Sequence, residues 1–223
     1  MAEEQARIDD IERLPVERLT FLTDGLFAIV MTLTVLALDV PEIPSAQVAS
    51  ELPEAVWDQW PIFMSYVITF LVLGFYWVAH HAMYRYILYL DRPLIWLNLI
   101  CLMFIAILPF TTELHGDYPG DFFTILVYGG NLMLISLLFS AQWSYVGRHE
   151  GQLDPRADAL YRRRVGNRSL VTTASFGLGI LLALINPYLA VPMWSLTPLW
   201  QGLLRRLDAR RPSSGEPPRH AGL

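Results

Sequence analysis

The chain has 223 residues, of which 54% are hydrophobic and 17% are charged, and its formal net charge is −5. This composition is too apolar for a soluble domain of that length, and the charges collect in the two ends and the connecting stretches. We therefore predict an integral protein of the lipid bilayer, with no nucleic-acid partner.

Six segments of the chain are predicted to cross the membrane, because about 20 apolar residues in a helix cover a hydrocarbon core about 30 Å thick. In chain order, spans one to six are residues 19–38, 60–83, 93–110, 122–146, 165–185 and 188–204. Span six is short and contains Pro192 and Pro198, so a re-entrant or interfacial segment is its alternative interpretation.

The predicted fold is an all-α membrane protein with a six-helix transmembrane domain over residues 19–207. A cytoplasmic tail over residues 1–18 precedes this domain. Residues 208–223 are rich in Pro, Ser, Gly and Arg, and this composition predicts a disordered cytoplasmic tail.

The arginines predict the orientation, because the chain has no lysine and cytoplasmic loops are enriched in these two residues. Every arginine lies before span one, between spans two and three, around the connection of spans four and five, or after span six. The three opposite connections contain no arginine, and their charged residues are acidic: Glu42, Glu51, Glu54, Asp58, Glu113, Asp117 and Asp121. Both termini are therefore predicted to be cytoplasmic, in a multi-pass protein of the inner cell membrane.

A few polar side chains fall inside the predicted spans at one depth, in the cytoplasmic quarter of the membrane. They are Asp24 in span one, His80 and His81 in span two, and Asn98 in span three. Polar groups at such a depth mark internal clusters or functional sites. We interpret these four, with Arg18 as a further partner, as a brace between the spans, and a proton relay is the alternative.

A metal site is not predicted at this cluster. Adjacent histidines project about 100° apart on a helix, so His80 and His81 are poor joint ligands for one metal ion. The single cysteine, Cys101, lies inside span three, so no intrachain disulfide is possible and a buried apolar role is predicted for it.

Span one has an apolar stripe when it is wound at about 100° per residue. The stripe is centred on Ile29 and includes Leu22, Gly25, Leu33 and Leu36, with Thr32 at its margin. Asp24 points about 140° away from Ile29 on the same helix. A stripe of this kind is by itself typical of a surface that faces lipid or another helix.

Three ordered motifs occupy the first half of the chain. They are Arg18 followed by Thr23-Asp24-Gly25, Trp77 followed by His80-His81, and Leu97-Asn98-Leu99 followed by Pro109-Phe110-Thr111. Together they resemble the transmembrane protein 175 family of potassium channels, whose first-helix signature is an arginine, three residues and Phe-Ser-Asp-Gly. Leu22 stands where the signature has phenylalanine and Thr23 where it has serine, and the second half of the chain supplies no motif.

The resemblance implies a potassium-selective channel in which four copies of the chain surround a central pore lined by span one. Rings of apolar side chains narrow the pore in this family, and the sequence has no TVGYG carbonyl filter. By position, Ile29 and Leu36 form the rings, Leu33 is a further candidate, and Thr32 adds a ring of hydroxyls. Potassium is the permeant ion, and no cofactor is implied.

The resemblance also implies structural roles for the polar cluster. In the family, the residues matching Arg18 and Asp24 and their partners on spans two and three hold the pore helix and the subunits in place. The network predicted here comprises Arg18, Thr23, Asp24, His80, His81 and Asn98. Asp39 and Glu42 follow span one, where they either concentrate cations at an outer mouth or belong to a solvated loop.

Three other functions compete with a potassium channel. A proton channel or a secondary transporter would use the cluster of Asp24, His80, His81 and Asn98. Transporters pair broken helices around a polar site at the midplane, whereas here the midplane is apolar and Gly129-Gly130 is the only predicted break. An intramembrane enzyme needs a nucleophile and a base at one depth, and no serine or cysteine accompanies the cluster, so no enzymatic activity is predicted.

Overall fold

The structure is a computed structural model that describes residues 15–149, 151–197, 199–200, 202–203 and 206. Most of the predicted N-terminal tail and all of the predicted C-terminal tail lie outside the described residues. The described part is helical, and its one β-type pairing is an isolated antiparallel bridge between Ile87 and Leu153.

The described helices follow one another with short connections. In chain order they are α1 (Val16–Leu33), α2 (Val48–Asp58), α3 (Trp60–Tyr84), α4 (Arg92–Ala106), α5 (Leu108–Asp117), α6 (Phe122–Arg148), α7 (Ala159–Ala183) and α8 (Ala190–Ser195). A 3₁₀ helix, Thr34–Ala37, continues α1, and a second one, Pro187–Leu189, precedes α8.

Four described segments are long and apolar enough to cross a membrane. They are Val16–Ala37, Trp60–Tyr84, Arg92–Asp117 and Phe122–Arg148. They confirm the first four predicted spans as long apolar helices. The third is longer than the predicted 93–110 and consists of α4 and α5, which meet at Ile107, because Pro109 removes a backbone N–H and its ring crowds the preceding turn.

The last two predicted spans differ from the first four. Helix α7 has 25 residues, but it begins before the predicted 165–185 and its first half has four arginines. The region 188–204, predicted as the short span six, is not one continuous helix in its described residues. That region starts with a 3₁₀ turn, continues as α8 around Pro192, and is interrupted at Leu196 before helical residues resume. Pro198 lies outside the described residues.

Aspartate side chains cap three of the helices that follow polar connections. Asp91 accepts a hydrogen bond from the Leu94 amide at 3.0 Å, and Asp121 accepts one from the Thr124 amide at 3.1 Å. Asp158 accepts one from the Tyr161 amide at 2.6 Å. Each carboxylate satisfies a backbone donor that the first helical turn leaves unpaired, and this bond fixes where α4, α6 and α7 begin.

Helix α6 is the centre of the bundle and packs against α4, α5 and α7. Its side chains Ile125, Leu132 and Ile135 are completely buried. Hydroxyl pairs join it to α7, with 2.7 Å between Ser136 Oγ and Thr173 Oγ1 and 2.6 Å between Ser140 Oγ and Ser169 Oγ. Small residues and hydroxyl pairs are the usual means by which helices associate in a membrane.

Gly129 does not break α6, which corrects the prediction from the sequence. The helix runs through the glycine pair, and Gly129 instead makes room for Trp194 of α8. A Cβ atom at Gly129 or at Gly179 of α7 would collide with the Trp194 indole, which is completely buried and donates to the Phe176 carbonyl at 3.3 Å. The two glycines therefore form the notch that holds α8 against α6 and α7.

Two connections meet at the end of the bundle where α3 ends and α7 begins. The Leu88 amide donates to the Gln152 carbonyl at 2.9 Å, and the Asp154 amide donates to the Tyr86 carbonyl at 2.8 Å. Arg156 forms an ion pair with Asp154 at 2.6 Å, and the guanidinium lowers the pKa of that carboxyl. The start of α1 lies at the same end, since Pro15 and Arg18 border a cleft shared with Leu90.

Candidate pore helix and its polar anchor

Helix α1 and its 3₁₀ continuation have one face that packs inside the chain. This face contacts α3, α4 and α5. Its buried residues recur every three or four positions: Leu19, Thr23, Phe27, Val30, Thr34 and Ala37. Such spacing is one stripe of a helix, so α1 is fastened to the bundle along a single side.

The opposite face of α1 is exposed in the single chain. The exposed fraction is 60% for Ile29, 42% for Leu33 and 69% for Leu36. Thr32 is also exposed, and its hydroxyl donates to the Ile29 carbonyl at 2.7 Å. All four residues predicted to line a pore therefore lie on the side of α1 that no other part of the described chain covers.

The helical geometry tightens at the C-terminal end of this face. Residues Thr34–Ala37 form a 3₁₀ helix, in which side chains three positions apart eclipse one another. Leu33 and Leu36 therefore lie nearly in line along the helix axis. Ile29 lies one turn closer to the N-terminus, in the α-helical part.

A buried chain of hydrogen bonds and one ring contact joins α1 to three other helices. Asn98 on α4 donates through Nδ2 to Thr23 Oγ1 at 3.1 Å, and its Oδ1 accepts from His80 Nε2 of α3 at 3.2 Å. The His80 ring stacks on Tyr84, with 4.0 Å between centroids, and the Tyr84 hydroxyl donates to Gln142 Oε1 on α6 at 2.7 Å. We call Thr23, Asn98, His80, Tyr84 and Gln142 the polar anchor.

Asp24 lies outside the polar anchor. Its carboxylate accepts a hydrogen bond from the Trp77 indole of α3 at 2.8 Å. The ring of His81, which is exposed, lies 6.0 Å from that of Trp77. The residues that the sequence groups into one cluster thus form two sets in the structure, and Arg18 is exposed at the start of α1.

Sequence reasoning missed Trp77, Tyr84 and Gln142 as partners of the cluster. The available signal was the spacing on span two, where Trp77, His80, His81 and Tyr84 recur at helical intervals of three and four. Gln142 gave no signal, because only the fold brings the C-terminal half of α6 beside Tyr84.

A second buried polar group lies in the half of the bundle away from the start of α1. The Tyr128 hydroxyl lies 2.8 Å from Thr69 Oγ1, and Thr112 donates to the same Thr69 oxygen at 3.0 Å. The His115 ring stacks on Tyr128 with 5.3 Å between centroids. This group joins α3, α5 and α6 and does not include α1.

The C-terminal end of α1 leads into an extended segment with two exposed acidic residues, Asp39 and Glu42. Gln59 holds this segment by donating to the Asp39 carbonyl at 2.6 Å. Both carboxylates remain on the surface. Among the described residues, no group of three or more His, Cys, Asp or Glu side chains is arranged to hold a metal ion.

Comparisons with known proteins agree on one family. Residues 18–109 match the family model described as the endosomal/lysosomal potassium channel TMEM175. A potassium channel of Streptomyces collinus is 32% identical over 189 residues, which cover 83% of this chain and 90% of the relative. An endosomal/lysosomal proton channel TMEM175 of Bos taurus is 30% identical over 156 residues, or 66% of this chain and 33% of the relative.

A solved structure has the same fold. It is the crystal structure of a lysosomal potassium-selective channel TMEM175 homolog from Chamaesiphon minutus, with a TM-score of 0.74 and 22% sequence identity. The match covers 84% of this chain and 96% of the homolog.

Proposed function

Because the chain belongs to the TMEM175 family of ion channels, we propose that it is a potassium-selective channel that conducts K⁺ passively through a pore lined by α1. The observation that carries this proposal is the uncovered stripe of α1, opposite a face that is fastened to the bundle. The relative in Streptomyces collinus is named a potassium channel, and the match covers 90% of its length.

We propose that four copies surround the pore, each contributing one α1. In that arrangement Ile29, Leu33 and Leu36 form successive apolar rings, and Thr32 contributes a ring of hydroxyls between them. An apolar ring gates by dewetting, because an ion cannot pass until water fills the constriction, and hydroxyls replace part of the hydration shell of the ion.

We place the channel in the inner membrane of the cell. In the proposed orientation both termini are in the cytoplasm. It is supported by the arginine-containing connections, which meet at the same end of the bundle as the start of α1. Helix α7 and the segment 188–204 complete six membrane helices in this proposal. Asp39 and Glu42 then lie at the outer mouth, where carboxylates raise the local concentration of cations.

The polar anchor has a structural role in this proposal. Three hydrogen bonds in this network each join two helices, the ring contact of His80 with Tyr84 lies within α3, and all five side chains are buried. Such a network fixes the rotation of α1 about its axis, and that rotation decides which residues face the pore. The Asp24–Trp77 bond reinforces the same rotation from the neighbouring position.

Proton conduction is the second candidate function. It is favoured by the name of the Bos taurus relative and by the placement of the ionisable pair Asp24 and His81 outside the buried anchor. A proton path along α3 would use these two side chains. The same protein preparation distinguishes the two candidates, because their permeant ions differ.

The experiment is ion flux in proteoliposomes under potassium, sodium and proton gradients. We expect potassium flux that exceeds sodium flux, and a loss of this preference in Ile29→Asn because a polar ring hydrates the constriction. The matched control is Leu134→Asn, since Leu134 is an exposed apolar residue near the middle of α6. Proton flux without potassium flux would favour the second candidate, and an Ile29→Asn protein identical to wild type would overturn the pore assignment.

A further inference from the structure

A pocket of about 500 Å³ lies between the segment that follows α1, helix α2 and the beginning of α3. The segment after α1 contributes Leu38 and Asp39 to its walls, and α2 contributes Leu52 and Trp57. Trp60, the first residue of α3, forms the third wall. Pockets for small organic ligands usually have volumes of about 300–1,000 Å³, so this pocket is large enough for such a ligand.

Helix α2 forms one wall of the pocket without filling it. None of its 11 residues is buried, although Val48, Leu52 and Val56 recur at intervals of four on one side of the helix. Two of them, Leu52 and Val56, line the pocket. Glu54 lies about 180° around the helix from these two residues, on the polar side. The chain therefore leaves an apolar wall of α2 open to a ligand.

A stack of aromatic rings lines another side of the pocket. The Trp57 and Trp60 rings stack with 5.5 Å between centroids, and the Trp60 ring stacks in turn on Phe63 with 5.8 Å between centroids. Trp57 is at the end of this stack and is 70% exposed, so most of its indole surface is available to a ligand. The face of an indole attracts cations, because the π electrons make that face negative.

The charge at the pocket is negative. Asp39 is the one charged residue among the described residues that line it. The backbone carbonyl of Asp39 accepts a hydrogen bond from Gln59, but its carboxylate has no ion pair or hydrogen bond within the described part of the chain. No arginine or lysine occurs between Arg18 and Arg85. No basic residue close to Asp39 in the sequence therefore neutralises its charge.

We propose that this pocket binds a quaternary ammonium cation with an apolar body, whose charged group contacts the Asp39 carboxylate and the Trp57 indole. Aromatic faces are the groups that proteins use to recognise such cations. An inorganic cation does not suit the pocket, because apolar walls cannot replace its hydration shell, whereas the methyl groups of a quaternary ammonium pack against Leu52 and Val56. The site depends neither on the ion that the protein conducts nor on the proposed orientation.

The test is isothermal titration calorimetry of the full-length protein in a nonionic detergent, with benzyltrimethylammonium as the probe. We expect wild type to bind the probe. Choline should displace it at a lower concentration than 3,3-dimethylbutan-1-ol, which has the shape of choline without the charge. Asp39→Asn and Trp57→Leu should each weaken binding of the probe by about threefold to tenfold, because each removes one of the two groups that contact the cation. Both residues are exposed, so these variants should fold normally.

Two matched controls should bind the probe as wild type does. Glu54→Gln removes one carboxylate from the opposite side of α2, and Trp96→Leu removes an exposed indole from α4. Asp39→Glu keeps the charge and should retain most of the affinity. Equal displacement by the two competitors would show that the pocket takes apolar molecules of either charge state and would overturn the proposal. Absence of binding by wild type, or equal losses in Glu54→Gln and Asp39→Asn, would also overturn it.

Discussion

Helices α1 and α6 have nearly the same hydropathy but opposite surroundings. Half of the most apolar window of α6 is buried within the chain, compared with 28% for the segment Val16–Ala37 that contains α1. Helix α6 packs against neighbours on several sides, whereas α1 is fastened along one side only. Hydropathy therefore identifies a membrane helix, but it does not distinguish a helix at the centre of the chain from a helix at its edge.

The uncovered side of α1 requires an explanation that α6 does not. In a membrane, this side must face lipid, another copy of the chain or a water-filled pore, since no described part of the same chain covers it. The pore-facing candidates on this side are apolar apart from Thr32, while the buried side has Thr23, which bonds to Asn98, and Thr34, which bonds to the helix itself. A surface helix of a soluble protein buries its apolar face and exposes its polar face, and α1 does the reverse. This arrangement suits a helix at the edge of the chain that lies at the axis of an assembly.

The largest expected effect is the difference in stability between substitutions on the two faces of α1. Phe27→Ala removes a ring that is 1% exposed, so we expect the free energy of unfolding in detergent to fall by about 3–5 kcal/mol. Ile29→Ala, two residues away on the uncovered face, should change the stability of the subunit by less than about 1 kcal/mol. Thermal unfolding of the purified proteins measures both, and equal losses would show that the two faces are packed alike.

The next effect tests the packing around α6. Gly129→Ala introduces a Cβ atom that collides with Trp194, and overpacking of this kind costs about 1–3 kcal/mol. Gly130→Ala is the control on the same helix, because its Cβ atom would meet no atom within 4 Å. Denaturation curves should separate the two variants, and a Gly129→Ala protein as stable as Gly130→Ala would contradict the notch at Trp194.

The smallest effect concerns the bond between Asp24 and Trp77, which we propose to fix the rotation of α1. Trp77→Phe removes the donor to Asp24, and because this site is exposed we expect a loss of about 1 kcal/mol in stability. Trp96→Phe, at an exposed position of α4, should be neutral. If the bond sets the rotation, Trp77→Phe should also reduce the preference of the channel for potassium over sodium, whereas Trp96→Phe should not.

Much of this comparison could be predicted from the sequence. The long apolar segments and the family resemblance were confirmed, because hydropathy and the motif around Asp24 depend on residues close together in the chain. The Ile29 stripe was visible as a helical pattern. Its exposure was not, because the same pattern occurs on helices buried between neighbours.

The polar contacts were harder to predict. The sequence placed Asp24 and Asn98 at one depth, but depth does not decide which side chain bonds to which. The structure pairs Asn98 with Thr23 and His80, and it pairs Asp24 with Trp77, since small rotations of the three helices select the partners. The notch of Gly129, Gly179 and Trp194 joins residues far apart in sequence and left no local signal.

The most direct test of the central claim is whether the uncovered face of α1 touches the conduction path. In a Cys101→Ser background, Ile29→Cys and Leu134→Cys each place one thiol near the middle of a membrane helix. A charged, membrane-impermeant thiol reagent should block potassium flux through Ile29→Cys and leave Leu134→Cys unaffected. If mass spectrometry shows that Ile29→Cys is fully modified while its potassium flux is unchanged, α1 does not line the pore.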